Sequence, residues 1–370
     1  MLLRITNIPR DYAWGSTTAI ADLFGYEPSG AHEAELWLGA HPGSPSRVVG
    51  SDETLIDVLG DERLPFLLKI LAAASPLSLQ AHPTMAQAAA GFARENAAGI
   101  PLDAPERNYK DAFHKPELVV ALSETYDALC GFREVAATKR LLAQLGAAAA
   151  PLDERLVDDS SLAPVFSWLL ERGEGADELI AAITAAARSV TGADFSSDLG
   201  TVVGLADAYP GDPGIVLSLL LNRVTLRRGE SLYLPAGNIH AYLRGLGVEL
   251  MAASDNVLRG GLTPKHVDVP ELLSVLDFRA LPVPYLQPIE VATGVEAFVP
   301  DVPDFTLLHV VTDATVTLSG PAIAICTAGF FTVAGQRLVP GESLFITGET
   351  GLELEGDGDL FIATVGAMPL

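Results

Sequence analysis

The sequence has few cysteines and few basic residues. Its 370 residues include two cysteines, Cys130 and Cys326, which lie far apart in apolar surroundings. We therefore expect no disulfide framework, but buried reduced thiols in a cytoplasmic protein. Lysine and arginine together number 23 against 47 aspartates and glutamates, which gives a formal net charge of −24. This acidic surface argues against nucleic acid or an anionic membrane as a partner, and a phosphorylated ligand would need arginine and lysine residues inside its pocket.

Long apolar segments are also absent. The N-terminal residues, from Met1 to Arg10, lack a basic stretch followed by an apolar core, so we expect no signal peptide. The apolar run from Ile70 to Gln80 is interrupted by Pro76 and Ser78, and we expect no membrane span. The chain is long enough for two or three domains, each with a sizeable core.

The residue patterns divide the chain into three regions. Strand-like patterns fill residues 1–133 and return in residues 222–277, and we predict that these two segments form one discontinuous domain, the candidate catalytic domain. Residues 134–221 are rich in alanine and leucine at helical spacing and predict an inserted helical domain. Residues 278–370 contain short strands separated by turns and predict a C-terminal β domain.

An internal repeat indicates the kind of β fold. Residues 226–235, LRRGESLYLP, align with residues 338–347, LVPGESLFIT. Such a turn followed by a strand recurs in double-sheet β-barrels, the jelly rolls that include cupins. We therefore predict a mainly β protein with two cupin-type jelly-roll barrels and an α-helical insertion. The first copy continues to His240, whereas the second has no histidine after Thr347, so only the first barrel is expected to bind a metal.

The segment 231–265 combines an apolar background with ionisable side chains. These side chains are His240, Glu249, Asp255, Arg259 and Lys265. Charged groups are costly to bury unless they are paired, hydrogen-bonded or bound to a metal, so their density predicts a polar pocket lined by strand ends and turns. A solvated loop with scattered charges is the alternative interpretation.

Four candidate metal ligands come from three separated strands. Gln80 and His82 share one face of a predicted strand, Glu117 lies at the entrance of a second strand, and His240 follows a third. Two imidazoles, a carboxylate and an amide oxygen suit zinc, with iron, manganese or cobalt as alternatives. Because ligands spread over a β-barrel have no diagnostic spacing, hydrogen-bonded polar core residues are the competing interpretation.

Residues 235–265 resemble the second signature of type I phosphomannose isomerases, the mannose-6-phosphate isomerases. The matching residues are His240, Ala241, Tyr242, Leu243, Gly245, Glu249, Met251, Ala252, Ser254, Asp255, Asn256, Arg259, Gly261, Thr263, Pro264 and Lys265. Residues 80–83, QAHP, and 109–117, YKDAFHKPE, resemble the family's other motifs, and the resemblance extends over nearly the whole chain. Two positions depart from the family pattern: Phe113 replaces the usual asparagine, and Gly260 the usual alanine.

The resemblance implies an isomerisation of mannose 6-phosphate and fructose 6-phosphate through a cis-enediol, with one Zn²⁺ per chain. Carried over by motif, the zinc ligands are Gln80, His82, Glu117 and His240. A divalent cation can orient the open-chain sugar and stabilise the negative charge that develops on its oxygens. The partner is thus a phosphorylated hexose, and we expect the enzyme to be a monomer.

The catalytic candidates are Arg259, Glu249 and Lys115. Arg259 can stabilise the enediolate without exchanging a proton, because its pKa is too high for it to act as an easy base. A general base should titrate nearer neutrality. The sequence leaves the base open among Glu249, Asp255, Lys115 and His114, with Glu249 and Lys115 favoured near the metal.

The substrate-binding candidates are Ser78, Lys265, Asp255 and Tyr242. Ser78 and Lys265 are assigned to the phosphate, with a surface role as the alternative for each, and core packing is the alternative for Tyr242. Two other functions share the pattern. A cupin oxygenase would favour a histidine-rich site with open positions for iron and oxygen, and a non-catalytic sugar-binding cupin would be favoured by the loss of a ligand, which is not observed.

Overall fold

The computed structural model describes residues 1–190 and 194–366, and β-strands dominate this part of the chain. Strands β1 to β9 span Leu2–Thr6, Glu35–Leu38, Arg47–Val48, Phe66–Ala73, Gln80–Ala81, Glu117–Ala121, Thr125–Phe132, Leu221–Arg227 and Ser231–Leu234. Strands β10 to β18 span His240–Ala252, Leu258–Arg259, Ile289–Ala292, Val295–Phe298, Thr306–Thr317, Ala322–Val333, Gln336–Leu338, Ser343–Ile346 and Gly351–Thr364. Helices α1 to α10 span Ala19–Phe24, Leu55–Leu59, Met85–Ala97, Val135–Leu145, Ala150–Arg155, Leu162–Leu170, Ala176–Ser189, Ser196–Ala208, Gly214–Leu217 and Val269–Val275. The mainly β class predicted from the sequence is confirmed.

The strands form two nine-stranded sheets. The first is centred on β10, which pairs antiparallel with β4, β5, β6 and β7. The second runs in the order β12-β13-β14-β18-β15-β17-β1-β3, with β16 on β15. The N-terminal strand β1 therefore pairs with the C-terminal strand β17, from Leu2 opposite Ile346 to Ile5 opposite Ser343.

Helices α4 to α9 lie between β7 and β8, where the sequence predicts the helical insertion. They are amphipathic: on α4 the buried side chains recur at helical spacing, namely Val135, Thr138, Leu141, Leu142 and Leu145. These side chains enter a core that is shared with the other inserted helices and with part of the first sheet. Residues 191–193 and 367–370, which fall within the predicted helical and C-terminal domains, lie outside the described residues.

The two copies of the sequence repeat fold alike. Gly229 and Gly341 occupy the same turn position with φ of +85° and +87°, a left-handed conformation that favours glycine. In each copy the side chain of the next residue, a glutamate, accepts a hydrogen bond from the backbone N–H three residues earlier. Oε2 of Glu230 accepts at 2.8 Å and Oε2 of Glu342 at 3.0 Å. The repeat therefore encodes one turn-and-strand unit in each sheet.

Helix ends follow their capping residues. Thr84 directly precedes a helical pattern, and threonine is a preferred residue at the N-cap, so the sequence predicts a helix start there. In the structure Thr84 caps α3 in a reciprocal pair with Gln87. The helical spacing of the apolar residues up to Leu276 predicts a helix over residues 264–276. The predicted start is wrong, because Asp268 caps α10 and the helix begins at Val269. Within the described ranges, no helix is both long and apolar enough to cross a membrane.

Candidate metal centre and active site

Antiparallel pairing brings candidate residues from distant segments together. His240 on β10 pairs with Gln80 on β5, and Gln80 pairs in turn with Arg259 on β11. Further along β10, Glu249 pairs with Lys69 on β4. Because paired residues of neighbouring strands place their side chains close together, the register of β10 assembles the site.

Three candidate ligands form a buried cluster. His82, Glu117 and His240 each offer a ligand atom, and these atoms lie within 4.8 Å of one another. Each residue is only 1% exposed. The Glu117 carboxylate lies between the two rings, with Oε1 3.1 Å from Nε2 of His82 and Oε2 3.4 Å from Nε2 of His240. Two imidazoles and a carboxylate in this arrangement could hold a metal ion.

The outer hydrogen bonds of the two histidines orient their ring nitrogens. Nδ1 of His82 lies 2.7 Å from the carbonyl oxygen of Asn256, and Nδ1 of His240 lies 3.0 Å from that of Asn238. A carbonyl oxygen only accepts, so each neutral ring carries its proton on Nδ1 and turns an Nε2 lone pair towards Glu117. Among the residues that the structure describes, Nε2 of His82 has no hydrogen-bond partner. Lone pairs facing a carboxylate repel it unless a cation lies between them, and the donor set therefore fits a metal.

Gln80 lies next to this cluster, with its Nε2 3.3 Å from Nε2 of His240. The oxygen and nitrogen of an amide exchange places by a 180° rotation, and their assignment rests on the hydrogen-bond network. The rotated amide would present Oε1 as a fourth ligand, completing an N/O set that suits zinc. The structure thus brings the four predicted ligands together, and their role as ligands stays a prediction.

Lys115 controls the charge of the cluster. Its Nζ lies 2.8 Å from Oε1 of Glu117. Burial opposes ionisation of Glu117, but the charge of Lys115 holds the pKa of this carboxyl well below its usual range. Burial and the Lys115 charge lower the pKa of His82 to about 4. The apoprotein therefore keeps a carboxylate and a neutral imidazole, the forms that bind metals, at neutral pH.

Without metal, the folding stability should depend strongly on pH. The unfolded chain protonates His82 near its ordinary pKa of 6.5, whereas the folded apoprotein does so only near pH 4. Because the unfolded state binds more protons in this interval, the free energy of unfolding is at its full value above pH 6.5 and falls as the pH drops towards 4. We expect a loss of about 3 kcal/mol from this group, measured by chemical denaturation of metal-free protein at several pH values. Metal-free His82→Gln should lose clearly less over the same interval, and an equal loss would contradict the assignment.

A second buried cluster adjoins the first. Nζ of Lys69 lies 2.8 Å from Oε2 of Glu249 and 3.3 Å from Oε1 of Glu35, and all three side chains are nearly inaccessible. Burial disfavours the charged lysine, but Glu249 and Glu35 more than compensate and raise the pKa of Lys69. Burial raises the pKa of Glu249, although the Lys69 charge opposes this effect. Sequence reasoning missed Lys69 and Glu35; the available signal was a single charge within the apolar strand β4.

A cavity of about 530 Å³ lies against both clusters. All but two of the predicted site residues line it, namely Ser78, Gln80, Lys115, Glu117, Tyr242, Glu249, Asp255, Arg259 and Lys265. The exceptions, His82 and His240, are buried and reach the cavity through Glu117. The structure therefore gathers the predicted residues at one cavity, while their individual roles stay predictions.

The cavity also has cations without carboxylate partners. Within the described residues, Arg259, Lys265 and Lys110 line the cavity and none of them forms an ion pair. Burial lowers the pKa of Arg259, and burial together with the charges of Arg259 and Lys110 lowers the pKa of Lys265. Unpaired cations that repel one another in a protein of net charge −24 indicate an anion-binding surface. Lys110 was not predicted to belong to it.

Two of the candidate bases have partners of their own. Nε2 of His114 lies 2.7 Å from Oδ2 of Asp304, and His114 is not among the residues that line the cavity. Its side chain thus contacts the segment before β14 instead of the site. Nε2 of His41 lies 3.1 Å from Oδ1 of Asp255. Although burial opposes it, this hydrogen bond lowers the pKa of Asp255, which makes Asp255 a weak base.

The departures from the family pattern are accommodated. Phe113 contributes its backbone N–H and carbonyl to hydrogen bonds, and its ring stacks on the guanidinium of Arg63 at 3.5 Å. Its side chain is therefore not needed to hold the loop. At Gly260, an added Cβ would lie 3.2 Å from Cδ2 of Leu272, so the glycine matches a tight contact with α10.

The buried His-Glu-His cluster, the lysine–carboxylate pairs and the unpaired cations around one cavity are typical of metalloenzymes that act on small anionic molecules. Comparison with known proteins narrows this class. The family model described as phosphomannose isomerase type I, catalytic domain, matches residues 2–135. Mannose-6-phosphate isomerase of Escherichia coli (strain K12) is 41% identical over an alignment of 387 positions, which covers 96% of this chain and 98% of that protein.

Solved structures agree with the sequence comparison. A zinc-bound holo structure of mannose 6-phosphate isomerase aligns with a TM-score of 0.90 and 36% identity, over 99% of both chains. The Salmonella typhimurium enzyme bound to fructose 6-phosphate and zinc aligns with the same TM-score, identity and coverage. The chain therefore belongs to the type I phosphomannose isomerase family, which confirms the resemblance seen in its motifs.

Proposed function

We propose that this protein is a zinc-dependent aldose–ketose isomerase that interconverts mannose 6-phosphate and fructose 6-phosphate through a cis-enediol. The observation that carries the proposal is the pair of histidine Nε2 atoms that face the Glu117 carboxylate at 3.1 and 3.4 Å. A divalent cation satisfies all three groups at once. Family membership supports the proposal, as does the Salmonella typhimurium relative that binds both zinc and fructose 6-phosphate.

One Zn²⁺ per chain is assigned to Gln80, His82, Glu117 and His240. When bound, it would orient the open-chain sugar and stabilise negative charge on the sugar oxygens. The Lys115 ammonium, 2.8 Å from Glu117, keeps that ligand ionised. The donation from each Nδ1 to a backbone carbonyl keeps both rings in the tautomer that binds through Nε2.

Glu249 is the favoured general base. Its burial raises its pKa towards the range in which a carboxylate can exchange a proton near neutral pH. It takes the proton from C2 of the aldose and returns it to C1, and a second proton passes from the hydroxyl on C2 to the oxygen on C1, which makes C2 the ketone and C1 the alcohol. Lys69 holds the carboxylate in place at 2.8 Å. Arg259 stays protonated and stabilises the enediolate. Asp255 and Tyr242 line the same cavity and are assigned to the sugar hydroxyls.

The cationic part of the cavity is assigned to the substrate phosphate. Lys265 and Ser78 are the phosphate-binding groups predicted from the sequence. Lys110 lines the same cavity and adds a second ammonium group for the phosphate. Ammonium groups donate charge-assisted hydrogen bonds to phosphate, and in a chain of net charge −24 they would offset the repulsion that the surrounding charges exert on the phosphate.

The finer architecture is also part of the proposal. We assign one cupin-type jelly roll to residues 1–133 with 222–277 and a second to residues 278–370, with the helical domain at residues 134–221. The repeated turn in the two sheets supports this division, although β1 pairs with the C-terminal sheet. We assign the enzyme to the cytoplasm, which agrees with its two free and buried cysteines, and we propose that it is a monomer.

A coupled assay of mannose 6-phosphate conversion tests the function. Purified protein should be active, a chelator should lower kcat/KM at least about 10³-fold, and added zinc should restore it. Mannose without the phosphate is the matched control substrate, and its kcat/KM should be at least about 10²-fold lower because the ammonium contacts are lost. Zinc-loaded protein that binds mannose 6-phosphate without converting it would overturn the proposal.

A further inference from the structure

Asn256 is fully buried, with 0% exposure, in the segment between β10 and β11. It directly follows Asp255 and stands three residues before Arg259. Neither the metal cluster nor the cavity lining includes Asn256. A buried amide must have its donors and acceptor satisfied, so the partners of Asn256 show what it holds.

The side chain of Asn256 holds the loop that leads to Lys115 and Glu117. Its Oδ1 accepts hydrogen bonds from the backbone N–H of Lys110 at 2.7 Å and of Asp111 at 3.3 Å. Its Nδ2 donates to the carbonyl oxygens of Asp111 at 2.9 Å and of Phe113 at 2.8 Å. Both ends of the amide are therefore bound to one short stretch of backbone, two residues before Lys115.

The loop binds back to the segment that carries Asn256. The Asp111 carboxylate accepts from the hydroxyl of Ser254 at 2.9 Å and from the backbone N–H of Asp255 at 2.8 Å. Ser254 also donates to the carbonyl of Phe113 at 3.1 Å. These reciprocal bonds fix the two segments against each other at several points.

The backbone of Asn256 reaches the metal cluster directly. Its carbonyl oxygen accepts the proton on Nδ1 of His82 at 2.7 Å. This bond fixes the ring orientation and tautomer of His82, and outer contacts of this kind tune the affinity of a metal site. Asn256 thus contacts the candidate ligand His82 through its backbone. Through its side chain it contacts the loop that leads to a second candidate ligand, Glu117.

We propose that Asn256 is a positioning residue of the metal centre, whose amide sets the distance between His82 and Glu117 and aligns Asp255 and Arg259 with them. This inference rests on the proposed zinc function. An amide is required because the loop presents two N–H donors to one end and two carbonyl acceptors to the other. Aspartate has the same shape but turns a second acceptor towards the carbonyls of Asp111 and Phe113, which repel it.

The test compares zinc affinity in Asn256→Asp with that in the wild type, by competition with a chromogenic zinc chelator. We expect the zinc Kd to rise about 10- to 100-fold. The d–d absorption of the Co²⁺-substituted protein should also change, because the ligand geometry is altered. Stabilisation by zinc falls as the Kd rises, so the difference in Tm between zinc-loaded and metal-free protein should shrink.

The matched control is Asn7→Asp. The Asn7 side chain likewise donates to two backbone carbonyls, those of Trp37 and Ser44, both at 2.9 Å, but Asn7 has no contact with the cluster. We expect this variant to lower the Tm of both forms equally, with the zinc Kd and the Co²⁺ spectrum unchanged. A purely structural role for Asn256 predicts the same behaviour in Asn256→Asp.

Three outcomes separate this inference from the proposed function. Wild-type protein that fails to bind zinc would overturn the proposed function and the inference with it. Folded Asn256→Asp with a zinc Kd within twofold of the wild type would overturn the inference alone. If Asn256→Asp does not fold, the zinc Kd of Ser254→Ala decides, because this variant removes only the hydroxyl at the margin of the same network. A zinc Kd raised about threefold or more supports the role of Asn256. An unchanged zinc Kd refutes it.

Discussion

Replacement of Glu117 by glutamine should lower kcat/KM by at least about 10³-fold, because a divalent cation contributes several kcal/mol to stabilising an enediolate and this residue is the only anionic ligand proposed for it. The amide keeps the volume of the carboxylate but removes its charge. Lys115 would lose its ion-pair partner at 2.8 Å and become an unpaired, largely buried cation. We therefore also expect weaker zinc binding, with a zinc content well below one per chain after dialysis.

Glu33→Gln is the control for this substitution. Glu33 is also a buried carboxylate, but it accepts hydrogen bonds from Tyr26 and Ser29 and does not line the cavity. Metal analysis by mass spectrometry and the coupled assay should show wild-type zinc content and turnover for this variant. Full activity of Glu117→Gln with stoichiometric zinc would rule out the assigned ligand set.

Arg259→Met should lower kcat by about 10²- to 10³-fold, with a smaller change in KM, because the guanidinium is assigned to charge that develops only in the transition state. The thermal stability of Arg259→Met should not fall with its activity. Burial lowers the pKa of Arg259, and no carboxylate in the described part of the chain compensates, so the folded protein bears a desolvation cost that methionine removes. We expect an unchanged or higher Tm.

This opposition between activity and stability distinguishes a catalytic arginine from a structural one. A structural arginine would lose stability and activity together when replaced. Arg140→Met, on the exposed side of helix α4, is the control and should alter neither kcat nor Tm. Arg259→Met with a kcat within twofold of the wild type would exclude the assigned role.

The four candidate ligands could be singled out from the sequence because each of them lies in a local pattern, and their role as ligands stays a prediction. The alternation around Gln80 and His82, the strand after Glu117 and the turn before His240 are properties of a few consecutive residues each. The capping of α3 by Thr84 was predictable for the same reason. Local patterns also identified both copies of the repeated turn.

Contacts between strands could not be predicted, because the register of two paired strands cannot be derived from the sequence of either strand alone. In the sequence, Lys69 is a single charge within the apolar strand β4, whereas in the structure it forms ion pairs with Glu35, 34 residues away, and with Glu249. His114 was considered as a base because it neighbours Lys115 in sequence, yet its partner Asp304 belongs to a distant segment. Polar residues next to a site in sequence can thus serve another contact.

The pairing of β1 with β17 has a consequence for the order in which the chain folds. The hydroxyl of Ser343 on β17 donates to the carbonyl of Ile5 on β1, which is 338 residues away. During translation, β1 leaves the ribosome long before β17 is synthesised. The second sheet therefore cannot form until the C-terminal part of the chain has been made. Because closure entropy grows only slowly with loop length, the delay affects the folding rate more than the final stability. Until β17 arrives, the unpaired edge of β1 is open to other nascent chains, which makes chaperone protection most useful in that interval.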